Sequence, residues 1–193
     1  MSNENTYRYA GEFEEQEAVI VGWPRIIEPV KGMYTEAVMH EVVKSLIGQV
    51  DKVIINCGWP GTYERCREIL TEGGIDLNDV TITQMPDMMH WMRDYGPDII
   101  KNDKGEMRLV HFRFDMYGMG EEDSDMSIMC KKFAPHMAIE HGCYDIVESC
   151  LISEGGDKEF NGAGVMMAIE DTEVNKRNSS MTKEQVEEEF KRV

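Results

Sequence analysis

Short apolar runs alternate with amphipathic stretches through the first half of the chain, and this rhythm predicts strands and helices in turn. Ala18-Val19-Ile20-Val21-Gly22-Trp23 is too short for a helix and rich in β-branched side chains, so it reads as a buried strand ended by Trp23-Pro24. Between Thr35 and Gly48, apolar Val38, Met39, Val42, Val43, Leu46 and Ile47 recur at helical spacing, with Gly48 as a C-terminal stop. Val53-Ile54-Ile55 predicts a second strand, Thr62 to Thr71 a second helix stopped by Gly73-Gly74, and Val80-Thr81-Ile82-Thr83 a third strand. Strands and helices in this order predict an α/β fold.

From Trp91 onward the pattern changes. Trp91-Met92-Arg93-Asp94-Tyr95-Gly96-Pro97 reads as a loop leaving a strand, because Pro97 pushes Gly96 away from helical geometry. Asp98 to Lys101 and Met107 to Phe114 read as paired strands turned by Asn102-Asp103-Lys104-Gly105. The acidic cluster Glu121 to Asp125 precedes a predicted helix, Met126 to Phe133, whose dipole it complements; the spacing of an EF-hand calcium loop is absent. Tyr144 to Leu151 predicts a strand running into Ser153-Glu154-Gly155-Gly156-Asp157, followed by a glycine-punctuated hairpin around Phe160-Asn161-Gly162-Ala163-Gly164 and the apolar run Val165 to Ile169. Thr182 followed by Gln185 is a capping box, and the helix it opens reaches Val193 without a stop signal, so it reads as cut short.

Composition narrows the functional classes. With 41% hydrophobic residues in 193, the chain can bury a core, and no linker divides it, so residues 1–193 read as one domain. Its 37 acidic against 20 basic residues give a net charge of -17, which opposes nucleic acid and anionic membrane and favours small cations. No apolar run approaches the roughly 20 residues that span a bilayer, and the N-terminus lacks a signal-peptide pattern; a cytoplasmic location is the expectation. Five cysteines without a CxxC fit reduced thiols, and Cys57 and Cys150, in or beside apolar runs, are expected to be buried and inert. His40 reads as structural, whereas His90, beside Trp91, lies where a ligand contact is possible. No zinc or nucleotide-binding pattern appears, so neither a metal nor a cofactor is expected.

The candidate chemistry centres on two segments. Asp94 beside the Trp91 ring suits a flat cation such as a guanidinium, held by hydrogen bonds and stacking; alternatively, Arg93 and Asp94 pair with each other and fix a surface turn. Glu154-Gly155-Gly156 follows a strand, and its glycines let the backbone approach a ligand closely. Glu72-Gly73-Gly74 has the same letters but ends a helix. If Glu154 and Asp94 lie at neighbouring strand ends, their carboxylates converge.

Taken together, Trp91-x-Arg93-Asp94-x-Gly96-Pro97, Glu154-Gly155-Gly156, Asn161-Gly162-x-Gly164, Phe13-Glu14-x-x-Glu17-Ala18 with Gly22-Trp23-Pro24, and Asn175-x-Arg177-Asn178 resemble the agmatine deiminase and bacterial-type peptidyl-arginine deiminase family. The resemblance implies a pentein-type α/β propeller, incomplete here at about three of five ββαβ units, and a metal-free hydrolysis of a guanidino group to a ureido group and ammonia through a covalent thiouronium on cysteine. It implies that Asp94 grips the guanidinium, Trp91 lines the pocket, Glu154 orients the substrate or its partners, and Arg93, Gly96, Pro97, Gly155 and Gly156 support the loops, Arg93 through buried hydrogen bonds. The family's catalytic histidine and nucleophilic cysteine are expected after Val193, so this chain alone is expected to be inactive. A C-terminal half or a second copy of the chain is the expected partner, with a non-catalytic binding or assembly module as the alternative. The loop from His111 to Gly118 offers Arg113 alone as a cation for a peptide carboxylate, which makes agmatine the preferred substrate.

Overall fold

The computed structural model describes residues 6–25, 35–87, 90–119, 125–142 and 145–193. Most of the acidic cluster Glu121 to Asp125, together with Cys143 and Tyr144, lies outside them. The chain divides into two compact units, residues 15–92 and a second unit made of residues 1–14 and 93–193. Strand β1 (Arg8–Tyr9) belongs to the second.

The unit of residues 15–92 carries the predicted βαβα order. Strands β2 (Ala18–Gly22), β3 (Lys52–Asn56) and β4 (Thr81–Thr83) form a parallel sheet in that order, and helices α1 (Thr35–Leu46) and α2 (Thr62–Glu72) lie between successive strands in sequence. Val53, Ile54 and Ile55 are all buried, as expected of a parallel strand covered on both faces, and Val43, Cys66 and Leu70 from the helices complete the core. Gly48 and Gly74 adopt left-handed φ values of 79° and 81°, which end both helices at the expected places. At the C-terminal end of β3 the buried Asn56 side chain donates to Met85 O at 3.0 Å and accepts from Met85 N at 2.9 Å, joining β3 to the segment after β4.

The boundary between the units falls in α3 (Met92–Tyr95), a single helical turn where the sequence predicts a loop; its residues from Arg93 on open the main run of the second unit. Gly96-Pro97 still ends the turn, and its four residues aim Arg93 and Asp94 at different partners. Strands β5 (Asp98–Lys101) and β6 (Met107–Arg113) form the expected antiparallel hairpin, with Gly105 at φ 79°.

Where one helix is predicted from Met126 to Phe133, two occur, α4 (Asp125–Lys131) and α5 (Phe133–His141). Pro135 accounts for the break, because its ring cannot share a continuous helix with the carbonyl four residues earlier, at Lys131, yet is tolerated in the first turn of α5. Strand β7 (Ile146–Ile152) pairs in parallel with β6 and completes the sheet β1-β5-β6-β7. Burial alternates along β7, which turns Ser149 and Leu151 inward and leaves Cys150 exposed, contrary to the expectation of a buried thiol.

Strands β8 (Lys158–Phe160) and β9 (Met166–Ala168) form the predicted hairpin, its turn held by Asn161 Oδ1 accepting from Ala163 N and Val165 N at 2.8 and 3.0 Å. A wide π-type helical turn, Asp171–Lys176, follows without a clear sequence signal, and α6 (Lys183–Arg192) starts at the predicted capping box. Helix α6 sets Val186 and Phe190 against Ile100, Val110, Phe112 and Leu151 of the sheet. Elsewhere in the unit the rings of Tyr95, Phe114 and Phe133 meet at centroid distances of 5.9 and 5.6 Å. The N-terminal motif is a clamp: Glu14 accepts from Arg8 Nη1 at 2.6 Å and from Gly11 N at 2.8 Å, and pairs with Lys101 at 2.8 Å.

Candidate functional site

Within the second unit the structure brings Asp94 and the Glu154 segment together. The turn α3 presses on residues 155–156 so closely that a Cβ at Gly155 would overlap the Arg93 carbonyl oxygen, and one at Gly156 the Asp94 Oδ1. Proximity to backbone requires glycine at 155, whereas at 156 a Cβ would have to displace the end of the Asp94 side chain; neither position has a left-handed φ. Arg93 Nε donates to Gly155 O at 3.2 Å, and its Nη2 pairs with Glu12. Arg93 thus ties α3 to the residue 155 backbone, but its side chain is 55% exposed, where buried hydrogen bonds were expected.

Tyr117 is a partner of Asp94 that sequence reasoning missed. Its hydroxyl donates to Asp94 Oδ2 at 2.9 Å, from a turn in which Met116, Tyr117 and Gly118 all take left-handed φ values of 58°, 64° and 73°. Consecutive non-glycine residues there are uncommon and cost about 1–2 kcal/mol each. Asp115 Oδ1, accepting from Gly118 N at 2.9 Å, helps to hold the turn. Asp115-x-x-Gly118 was the available signal, an aspartate placed to cap its own turn. Burial, and then the bond to Asp94, push the Tyr117 hydroxyl above its ordinary range, so it remains a neutral donor.

Glu154 leaves the end of β7 just before the short 3₁₀ turn Gly155–Asp157 and is only 8% exposed. Burial raises its carboxyl; Arg177 opposes the rise, while the nearby Asp94 and Asp115 add to it. Arg177 Nη2 lies 2.5 Å from Glu154 Oε1, and its Nη1 lies 3.6 Å from Asp157 Oδ2 and 3.5 Å from Glu173 Oε1. Behind them Lys158, 1% exposed, donates to Ser153 Oγ at 3.0 Å and lies 3.4 Å from Asp98 Oδ2. The result is a carboxylate-rich surface with a neutral phenol donor, suited to a compact cation that can present several N–H groups at once. Among the described residues no group of three or more His, Cys, Asp or Glu side chains is arranged to hold a metal ion.

The unit of residues 15–92 contains Trp91, which is 53% exposed, its ring centroid 4.9 Å from that of His90. His90 packs so tightly on Gly22 that a Cβ there would overlap its backbone, and burial, with Arg25 nearby, lowers the His90 imidazole from its ordinary value. Arg113 donates Nη1 to Cys150 O at 3.3 Å.

The family model for Porphyromonas-type peptidyl-arginine deiminase matches residues 8–193. The chain belongs to this family. A protein of Shewanella frigidimarina provisionally named agmatine deiminase is 28% identical across 96% of this chain and 49% of its own length. A second protein with that provisional name, from Marinomonas, is 30% identical across 94% of this chain and 48% of its own. Among solved structures, agmatine deiminase of Enterococcus faecalis superposes with a TM-score of 0.81 and 25% identity, over 95% of this chain and 49% of that one. The mixed α/β fold of the family is therefore present here, and the chain spans about half the length of the curated relatives it matches.

Proposed function

We propose that this chain supplies the guanidinium-gripping part of a guanidino deiminase, with agmatine as the preferred substrate. The observation that carries the reading is the convergence of Asp94 and the Glu154-Gly155-Gly156 segment, which begins sixty residues later in sequence, on one acidic surface. Asp94 accepts N–H groups of the guanidinium in an orientation set by Tyr117, and Glu154 contributes a second carboxylate. Gly96, Pro97, Gly155 and Gly156 keep the two segments in contact. Arg113 already donates to a backbone carbonyl, which favours a substrate without a carboxylate, such as agmatine, over a peptidyl arginine.

In the full reaction a cysteine thiolate adds to the guanidinium carbon, a proton carried to one nitrogen lets ammonia leave, and water replaces sulfur to give the ureido product. Those steps belong to a nucleophile and acid carried by a C-terminal half of the family domain, which would also complete the pentein-type propeller beyond about three ββαβ units. On this reading the chain acts where soluble agmatine is present, in the cytoplasm.

Calorimetric titration tests the grip. Agmatine is expected to bind the chain with heat, and Asp94→Asn to weaken binding at least about tenfold, the loss of one charged hydrogen-bonding partner. Equal heats for the two proteins refute the reading. Ammonia is expected only when the C-terminal half is added; ammonia from the 193-residue chain alone refutes the division of labour.

One observation favours the alternative of a binding or assembly module. Tyr7, Tyr9, Phe160, Val165 and Phe190 line an open cavity of about 640 Å³, with Met167 and Ile169 exposed on the same hairpin segment. Light scattering decides: self-association that agmatine leaves unchanged, together with absence of agmatine heat, favours the module.

A further inference from the structure

The family resemblance includes Asn175-x-Arg177-Asn178, a segment with no part in gripping the substrate. It forms the last residues of the wide turn Asp171–Lys176 and the step out of it, and lies against the end of β7. Asn178, 5% exposed, imitates a paired strand: Oδ1 accepts from Ile152 N at 3.0 Å, and Nδ2 donates to Ile152 O at 3.0 Å and to Glu173 O at 2.7 Å. Ile152 stands two residues before Glu154. Arg177, its side chain 9% exposed, directs its guanidinium at Glu154, Asp157 and Glu173 together. An arginine matched by three acids is not placed to receive a substrate's carboxylate. A carboxylate buried like Glu154 is costly to keep ionised without a cation in contact.

We infer that Arg177 is a positioning residue for guanidinium recognition, holding the Glu154 carboxylate in one orientation, while Asn178 fixes the strand end from which Glu154 projects. This inference rests on the reading of Asp94 and Glu154 as guanidinium ligands. The groups facing Glu154 come from every side: Asp157 from its own turn, Asp94 from α3, Asp115 and Tyr117 from the left-handed turn, and Arg177, with Glu173 and Lys158 behind it. Without Arg177, Glu154 faces these acids with no cation in contact and takes up a proton at higher pH.

The test is calorimetric titration of agmatine on the full chain between about pH 5 and pH 9, spanning the range over which such a carboxyl changes charge. Wild type is compared with Asp94→Asn, Arg177→Gln and Arg177→Lys. Arg177→Gln is expected to weaken binding about tenfold near neutrality and to move the acid limb of the binding curve up by about one pH unit. Arg177→Lys restores the acid limb but not full affinity, because an ammonium keeps the charge and loses the fork that spans several carboxylates.

Should the uncompensated acids prevent Arg177→Gln from folding, as circular dichroism would show, the double variant Arg177→Gln/Glu173→Gln removes a buried acid as well and carries the same test. Arg177→Lys, which keeps the charge, can also be followed by the carboxyl carbon signal of Glu154 without ligand; there an unchanged midpoint is expected. An acid limb that stays in place when the charge is removed overturns the inference while leaving the grip intact, and a Glu154 midpoint displaced in Arg177→Lys equally overturns it. Absence of agmatine heat in wild type, or no effect of Asp94→Asn, overturns the binding reading and this inference with it.

Discussion

Asp94 sits where it does because the two residues opposite lack a Cβ. Gly156→Ala is therefore expected to displace the Asp94 carboxylate and weaken agmatine binding at least about tenfold, with a loss of stability near 1 kcal/mol, the scale of a crowded but relaxable contact. Calorimetry and thermal melting on one sample separate the two effects. Tyr117→Phe removes a hydrogen bond worth about 1 kcal/mol, so binding should fall roughly fivefold, and an unchanged affinity would show that Tyr117 does not orient the carboxylate. At this scale Asp94, Glu154 and the glycines were legible, because a carboxylate next to a turn and a doubled glycine are local patterns. Tyr117 was not. Its contact spans 23 positions and depends on a left-handed turn that neither Met116 nor Tyr117 favours. Arg177 appeared only as a motif letter, since nothing local says that three acids meet it.

The helices and strands of residues 15–92 follow from periodicity and glycine stops because each element buries a face of its own. In the second unit, local and tertiary preferences diverge. The predicted helix Met126 to Phe133 becomes α4 and α5 through Pro135, whose ring acts four residues back, at Lys131, outside the local apolar pattern. Cys150 illustrates the limit of apolar runs: the strand was read correctly, but its alternation decides which residues face inward. The capping box of α6 was fully legible, with Thr182 Oγ1 accepting from Gln185 N at 3.3 Å and Gln185 Oε1 from Thr182 N at 2.8 Å. Thr182→Ala should lower stability by about 1 kcal/mol, seen in chemical denaturation, and leave agmatine affinity unchanged.

Across the whole molecule, charge sets the response to solution conditions. Burial holds Glu154 and Glu173 above the ordinary carboxyl range. A carboxyl raised on folding stabilises fully below its unfolded value and loses that contribution as pH rises through its folded one. Glu189 is the reverse: Arg192 lowers it to about 2, so its contribution is present above the ordinary range and lost as pH falls toward 2. Thermal midpoints are therefore expected to decline from about pH 5 upward, to decline less in Glu173→Gln, and to rise with salt at neutral pH, where a net charge of -17 repels itself. The buried thiols make such changes observable unit by unit. Cys57 and Cys66 are sealed in the unit of residues 15–92 and Cys130 in the other, while Cys150 stands in solvent. A thiol-reactive dye would mark Cys150 at once and Cys57, Cys66 and Cys130 only as their own unit opens, so these described thiols serve as a clock for how each unit breathes.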